Sequence, residues 1–163
     1  MLEGSEHKLK TIKIKPFDNF DIYFNLVLCK TLKQMRTAIK KHDPDYKHTG
    51  QETALFSHNV YLTHDKHEGK FYSNCLGVMF LNLDDLKSNE DILIHEAGHC
   101  ALSFYNHVLR YSGNFNSIVN HAEYYFFGEG KVQEAFCYFL SFVYKKVWQE
   151  IKLYKKELSR GVK

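Results

Sequence analysis

Three features that would place this chain in a familiar class are absent. No C-x-x-C pair occurs among its four cysteines, Cys29, Cys75, Cys100 and Cys137. That excludes the common zinc ribbons and the thioredoxin-like redox motif. The cysteines lie in mostly apolar surroundings and read as buried thiols in a reducing compartment. Apolar runs long enough to span a bilayer are also missing, which argues against a membrane protein. The first fifteen residues are polar and hold no apolar core of a secretory signal, so the expected location is cytoplasmic, or the host cytoplasm for a phage-encoded protein. Finally, the net charge is only +3 and the basic residues are spread along the chain. The Lys-rich stretch 145–163 alternates with Val147, Trp148, Ile151, Leu153, Tyr154 and Leu158, as an amphipathic helix does. This gives no strong signal for nucleic acid.

What is present is a globular composition: 44% hydrophobic residues, with 13 Phe and 11 Tyr in 163 residues. That length suits one domain with a real core. The expected organisation is a polar tail at 1–8 and a single domain over 9–163. Thr11–Lys15 alternates as a strand and Pro16 closes it. Apolar residues at 24, 27, 28, 32, 35 and 39 predict a helix over Tyr23–Lys41. Leu55–Thr63 and Phe71–Leu83 read as strands, the second apolar on both sides, as for a strand covered on both faces. Ser88 or Asn89 suits the N-cap of the helix that follows. The order predicts a small α+β domain: a short twisted sheet, one helix carrying the chemistry, and a long C-terminal helix.

The chemistry is concentrated in His95-Glu96-Ala97-Gly98-His99. Apolar residues at 92–94 and at 101, 102, 104 and 105 put the segment on a helix. Positions i and i+4 then share one face, so two imidazoles can grip one zinc ion while the Glu between them reaches its water. Gly98 costs a helix about 1 kcal/mol relative to Ala and suggests a close crossing by another element. A catalytic zinc takes three protein ligands. Positions 102 and 105 are Leu and Tyr, so the metzincin extension is absent. His107 lies roughly 80° around the helix and about 12 Å along it, and is a poor ligand. Glu134 is the only acid in the apolar run 130–143 and is the leading third ligand; His121, Glu123 and Glu129 are its rivals. His121, Tyr124 and Tyr125 are candidates for an oxyanion or substrate contact. His64 and His67 fall in a turn with Asp65 and Glu68 and read as exposed polar residues.

On these residues the chain resembles the gluzincin branch of the zincin metallopeptidases. Within it, the chain looks like the small intracellular peptidases related to the bacterial radiation-response regulator and to phage and mobile-element proteins. The matching residues are His95, Glu96 and His99, then Glu134-Ala135 followed by the run Cys137–Leu140. The resemblance implies a minimal zincin-like domain, zinc on His95, His99 and Glu134, and Glu96 as general base in peptide-bond hydrolysis. It also implies that an edge strand near residues 75–81 binds an extended protein or peptide substrate, with Gly77 permitting close backbone approach. The alternative is a catalytically silent zincin-fold protein with a structural or interaction role, such as one that a phage encodes. A transcriptional or anti-defence regulator that acts by cleavage of one protein is a third reading.

Overall fold

The computed structural model describes residues 9–15, 23–49, 53–58, 75–87, 90–111 and 131–160, without the side chains of 87, 105–111, 131–135 and 138. These residues form an α+β structure. Its elements are β1 (Lys10–Ile14), β2 (Tyr23–Cys29), α1 (Leu32–His42), β3 (Ala54–His58), β4 (Cys75–Asn82), a 3-10 turn (Asp85–Lys87), α2 (Glu90–Tyr111) and α3 (Lys131–Arg160). The strands form one sheet in the order β1-β2-β4-β3. β2 and β4 run parallel, and the outer strands pair antiparallel to them.

α1 covers one face of the sheet, where Val27, Cys29, Val78 and Phe80 meet Met35, Ala38 and Ile39. α2 and α3 cover the other face, where Phe24, Leu26, Leu28, Phe56, Leu76, Met79 and Leu81 meet Leu93, Ala97, Cys100, Ala101, Phe104, Phe139, Val143, Val147 and Ile151. The two central strands are therefore buried on both faces, and both are mostly apolar, β2 with Asn25 as its one strongly polar residue. This corrects the helix expected over Tyr23–Lys41. Its first seven residues are β2, because Val27 and Leu28 meet helical spacing only by belonging to the apolar run Leu26–Cys29, which Phe24 precedes across Asn25. The helix begins after Thr31, whose hydroxyl accepts from the Gln34 N–H at 3.3 Å, while the Gln34 side chain accepts from the Lys30 N–H at 2.9 Å. This T-x-x-Q arrangement satisfies two free donors at the helix start.

The C-terminal helical stretches expected over 130–143 and 145–163 form one helix, α3. Two further corrections concern β4. It lies between β2 and β3, so residues 75–81 are not an edge; among the described residues the edge on this side is β3. Between Tyr23 and Asn25 on β2, β4 advances from Cys75 to Val78, which is one residue more. This bulge lets Leu76 face α2 and α3 with Met79 and Leu81. Gly77 sits in it with φ 153°, and a Cβ there would collide with the Ser57 carbonyl oxygen. Its close approach is thus to β3, not to a substrate.

The cysteines divide as well. Cys29 and Cys100 are buried, Cys75 is half-buried and Cys137 is exposed, which corrects the expectation of four buried thiols. No helix among the described residues is long and apolar enough to cross a membrane.

Candidate active site

β4 ends at Asn82, a buried polar residue. Its side-chain amide donates to Asp85 Oδ2 at 2.6 Å, and its side-chain oxygen accepts from the Asp84 N–H at 3.3 Å. This turn sends α2 back along the sheet beside β3. Leu93, Ala97, Cys100, Ala101 and Phe104 supply the apolar stripe that fixes α2 against the sheet. The helix face adjoining that stripe carries His95, Glu96, His99 and Ser103.

His95 and His99 stand one turn apart with their rings edge to face, and their Nε2 atoms are 3.0 Å apart. Zinc sits about 2.0–2.1 Å from an imidazole nitrogen, so two nitrogens at this separation can share one ion. His95 is exposed and His99 half-exposed, which leaves the pair open to ligands. The two imidazoles therefore fit two corners of a zinc site. Among the described residues no third His, Cys, Asp or Glu completes a metal-holding group with them.

Glu96 turns the other way, into the helix–sheet interface, where it is 7% exposed. Its Oε2 accepts from the Phe56 N–H of β3 at 2.6 Å. Burial pushes the carboxyl above its ordinary value; the Phe56 N–H, His99 and His95 work against that rise. The hydrogen bond also reveals how β3 is turned. The Thr53 carbonyl accepts from the Asn82 N–H, facing β4. By strand alternation the backbone groups of Ala54, Phe56 and His58 then face outward, over α2. The edge of the sheet thus lies against the His-Glu-His face, but it is β3 that supplies it.

Sequence reasoning missed two residues here, His58 and Ser103. His58, at the end of β3 and opposite Gly77, lies with its Nδ1 2.8 Å from Ser103 Oγ. Its ring stands edge to face with His99 at 6.0 Å between centroids. Burial, and then the charge of His99, lower its pKa. His58 and Ser103 have no motif spacing; the register of β3 against α2 brings them together.

The remaining expected ligand and oxyanion candidates have no described side chain. Glu134 lies in the first turn of α3, and its side chain is outside the described residues. Phe104 stacks on Phe139 at 3.9 Å. Farther along α3, Glu157 pairs with Lys10, at the opposite end of the sheet from His58. α3 therefore runs antiparallel to α2. Counting five residues from each stacked ring at 1.5 Å per residue sets Glu134 about 15 Å along the pair from the level of His99. His121, Glu123, Tyr124, Tyr125, Glu129, His64, His67, Ser88 and Asn89 lie outside the described residues, as does the His107 side chain. Gly98 has nothing within 4 Å of the place a Cβ would occupy, so the close crossing expected there is not found among the described residues.

Comparison with protein-family models, with curated proteins and with solved structures finds no match to this chain.

Proposed function

We propose that the protein is a zinc-dependent peptidase, with His95 and His99 holding the metal and Glu96 serving as general base. The observation that carries this reading is the pairing of two converging imidazole nitrogens with a buried carboxylate on one stretch of helix. Zinc, when bound, would polarise the scissile carbonyl and make water acidic enough to attack it.

The chain's own residues supply the rest. Glu96 is held through Oε2 by the Phe56 N–H, and its other oxygen has no hydrogen bond among the described residues. That oxygen takes a proton from the attacking water and gives it to the leaving amine. A carboxyl raised by burial suits both transfers better than one at its ordinary value. With the Phe56 N–H given to Glu96, the outward backbone groups of Ala54 and His58 on β3 can still pair with an extended peptide, which suits a protein or peptide substrate.

Glu134 is the third ligand that the family resemblance assigns. His121, Glu123 and Glu129 are the rivals within the adjoining segment.

Metal analysis of the purified protein tests this reading. His95→Ala and His99→Ala should each abolish stoichiometric zinc, and Glu134→Ala should reduce it strongly. Unchanged zinc in the histidine variants would end the proposal; unchanged zinc in Glu134→Ala would move the third ligand to the rivals. Glu96→Gln separates the alternative reading, a silent zincin-fold interaction protein. It should keep zinc and lose cleavage of a labelled casein, whereas a binding role would leave wild type equally inert.

A further inference from the structure

We infer that His58 is the hydrogen-bond donor to the substrate's carbonyl oxygen as that oxygen gains negative charge. This assignment rests on the peptidase reading of His95, Glu96 and His99. The argument begins with Ser103, a buried hydroxyl in the middle of α2 at 7% exposure. Mid-helix hydroxyls commonly turn back to the carbonyl four residues earlier. Thr37 does so, donating to the Lys33 carbonyl at 3.0 Å. Ser103 instead reaches across to β3, and its one hydrogen-bond partner among the described residues is His58 Nδ1 at 2.8 Å.

A hydroxyl has one proton to donate, and leaving it undonated in a buried place costs about 1–3 kcal/mol. The Ser103 O–H therefore donates to Nδ1. Nδ1 is then the acceptor, and in the neutral ring the proton sits on Nε2. The result is an imidazole 6.0 Å from the His99 ring between centroids, with its N–H on the nitrogen that does not meet Ser103. Among the described residues His58 does not group with His95 and His99 as a metal-holding set.

The backbone supports the same assignment. His58 ends the edge strand along which an extended substrate would pair, and its side chain lies on the α2 side with that of Phe56, whose ring it meets at 5.1 Å. Its register partner is Gly77, in the bulge of β4. Any side chain at 77 would push β3 away and carry His58 off Ser103. The donor is thus held by two supports, the Ser103 hydroxyl and the bulge. His58 donates a hydrogen bond and keeps its proton throughout; proton transfer stays with Glu96. A donor that acts as charge develops stabilises the transition state more than the bound substrate.

Two measurements test the assignment on the full chain. Nitrogen-15 NMR of the metal-free protein, with the His58 signals identified by their loss in His58→Gln, should show the Nε2–H tautomer. Ser103→Ala should release that preference. An Nδ1–H tautomer in wild type overturns the assignment. The second measurement is binding of an N-phosphoryl-leucyl dipeptide, whose tetrahedral phosphoryl oxygens mimic the transition state, to the zinc-loaded protein. His58→Ala should weaken binding at least tenfold with zinc content unchanged, and His58→Gln should recover much of it through its side-chain amide. Equal binding by wild type and His58→Ala overturns the donor role and leaves the peptidase reading intact. Loss of zinc from His58→Ala, as from His95→Ala, also overturns it, because His58 would then be a ligand. If zinc-loaded wild type fails to bind the analogue, the peptidase reading fails and the donor role falls with it.

Discussion

Glu96 shows how one residue trades stability for chemistry. Its native carboxyl is raised above 4.5 chiefly by burial. The native state therefore holds the proton more readily than the unfolded chain does. The contribution of the protonated carboxyl is fully present below the unfolded value and is lost as pH rises through the native one. Glu96→Gln keeps an acceptor for the Phe56 N–H and removes the buried charge. In metal-free protein its melting temperature should exceed that of wild type at neutral pH, by about 2–4 °C for each kcal/mol relieved. The gap should close as the pH falls towards 4.5. Calorimetry across that range checks the prediction, and a constant gap would refute it. Cysteine reactivity gives a second residue-level prediction. Burial pushes Cys29 up to about 12 and also raises Cys100, whereas Cys137 is exposed. Iodoacetamide should modify Cys137 first in the native protein, and Cys29 and Cys100 only on unfolding, as peptide mass mapping would reveal. His95, Glu96 and His99 were legible in the sequence because helical spacing alone places them together. His58 and Ser103 were not, because they meet across 45 residues through strand register.

Glycines separate the elements by what surrounds them. Gly77 faces the β3 backbone, so Gly77→Ala should cost about 1–3 kcal/mol in urea unfolding and disturb the pairing that carries Phe56 and His58. Among the described residues nothing comes within 4 Å of a Cβ at Gly98 in α2, so Gly98→Ala should stabilise by about 0.5–1 kcal/mol. Opposite signs are the expected result; a loss at both positions would show that something covers Gly98. The same contrast explains what could be read at this scale. A Gly in an apolar strand signals a bulge or close approach, but not which neighbour approaches. The switch from β2 to α1 was readable at Thr31 and Gln34, whereas apolar periodicity concealed it. β4 was correctly read as covered on both faces, and for that reason it could not also be the edge strand.

At the scale of the whole molecule, stability lies in the helix–sheet layer more than in surface charge. Ile151 is fully buried between α3 and the sheet, and Ile151→Ala should cost about 2–5 kcal/mol. The Lys10–Glu157 pair joins β1 to α3 at 2.7 Å, but its side chains are 30% and 57% exposed. Lys10→Ala should therefore cost less than about 1 kcal/mol, most of it removed by salt. Parallel urea titrations of the two variants compare them directly. The α+β class was legible from the order of apolar segments, but the strand order was not, because nothing local records that β4 enters between β2 and β3.

That topology has a consequence for how the chain is made. The four described strands lie before residue 83, and the two described helices that cover their inner face come after it. At about 5–20 residues per second, the 78 residues from 82 to 160 take roughly 4–16 s to emerge. During that interval Leu26, Leu28, Met79 and Leu81 present an uncovered apolar surface next to the open edge of β3. The nascent chain is then at its most sticky, and a ribosome stalled before α3 should hold a species that recruits chaperones or aggregates until the last helix closes over it.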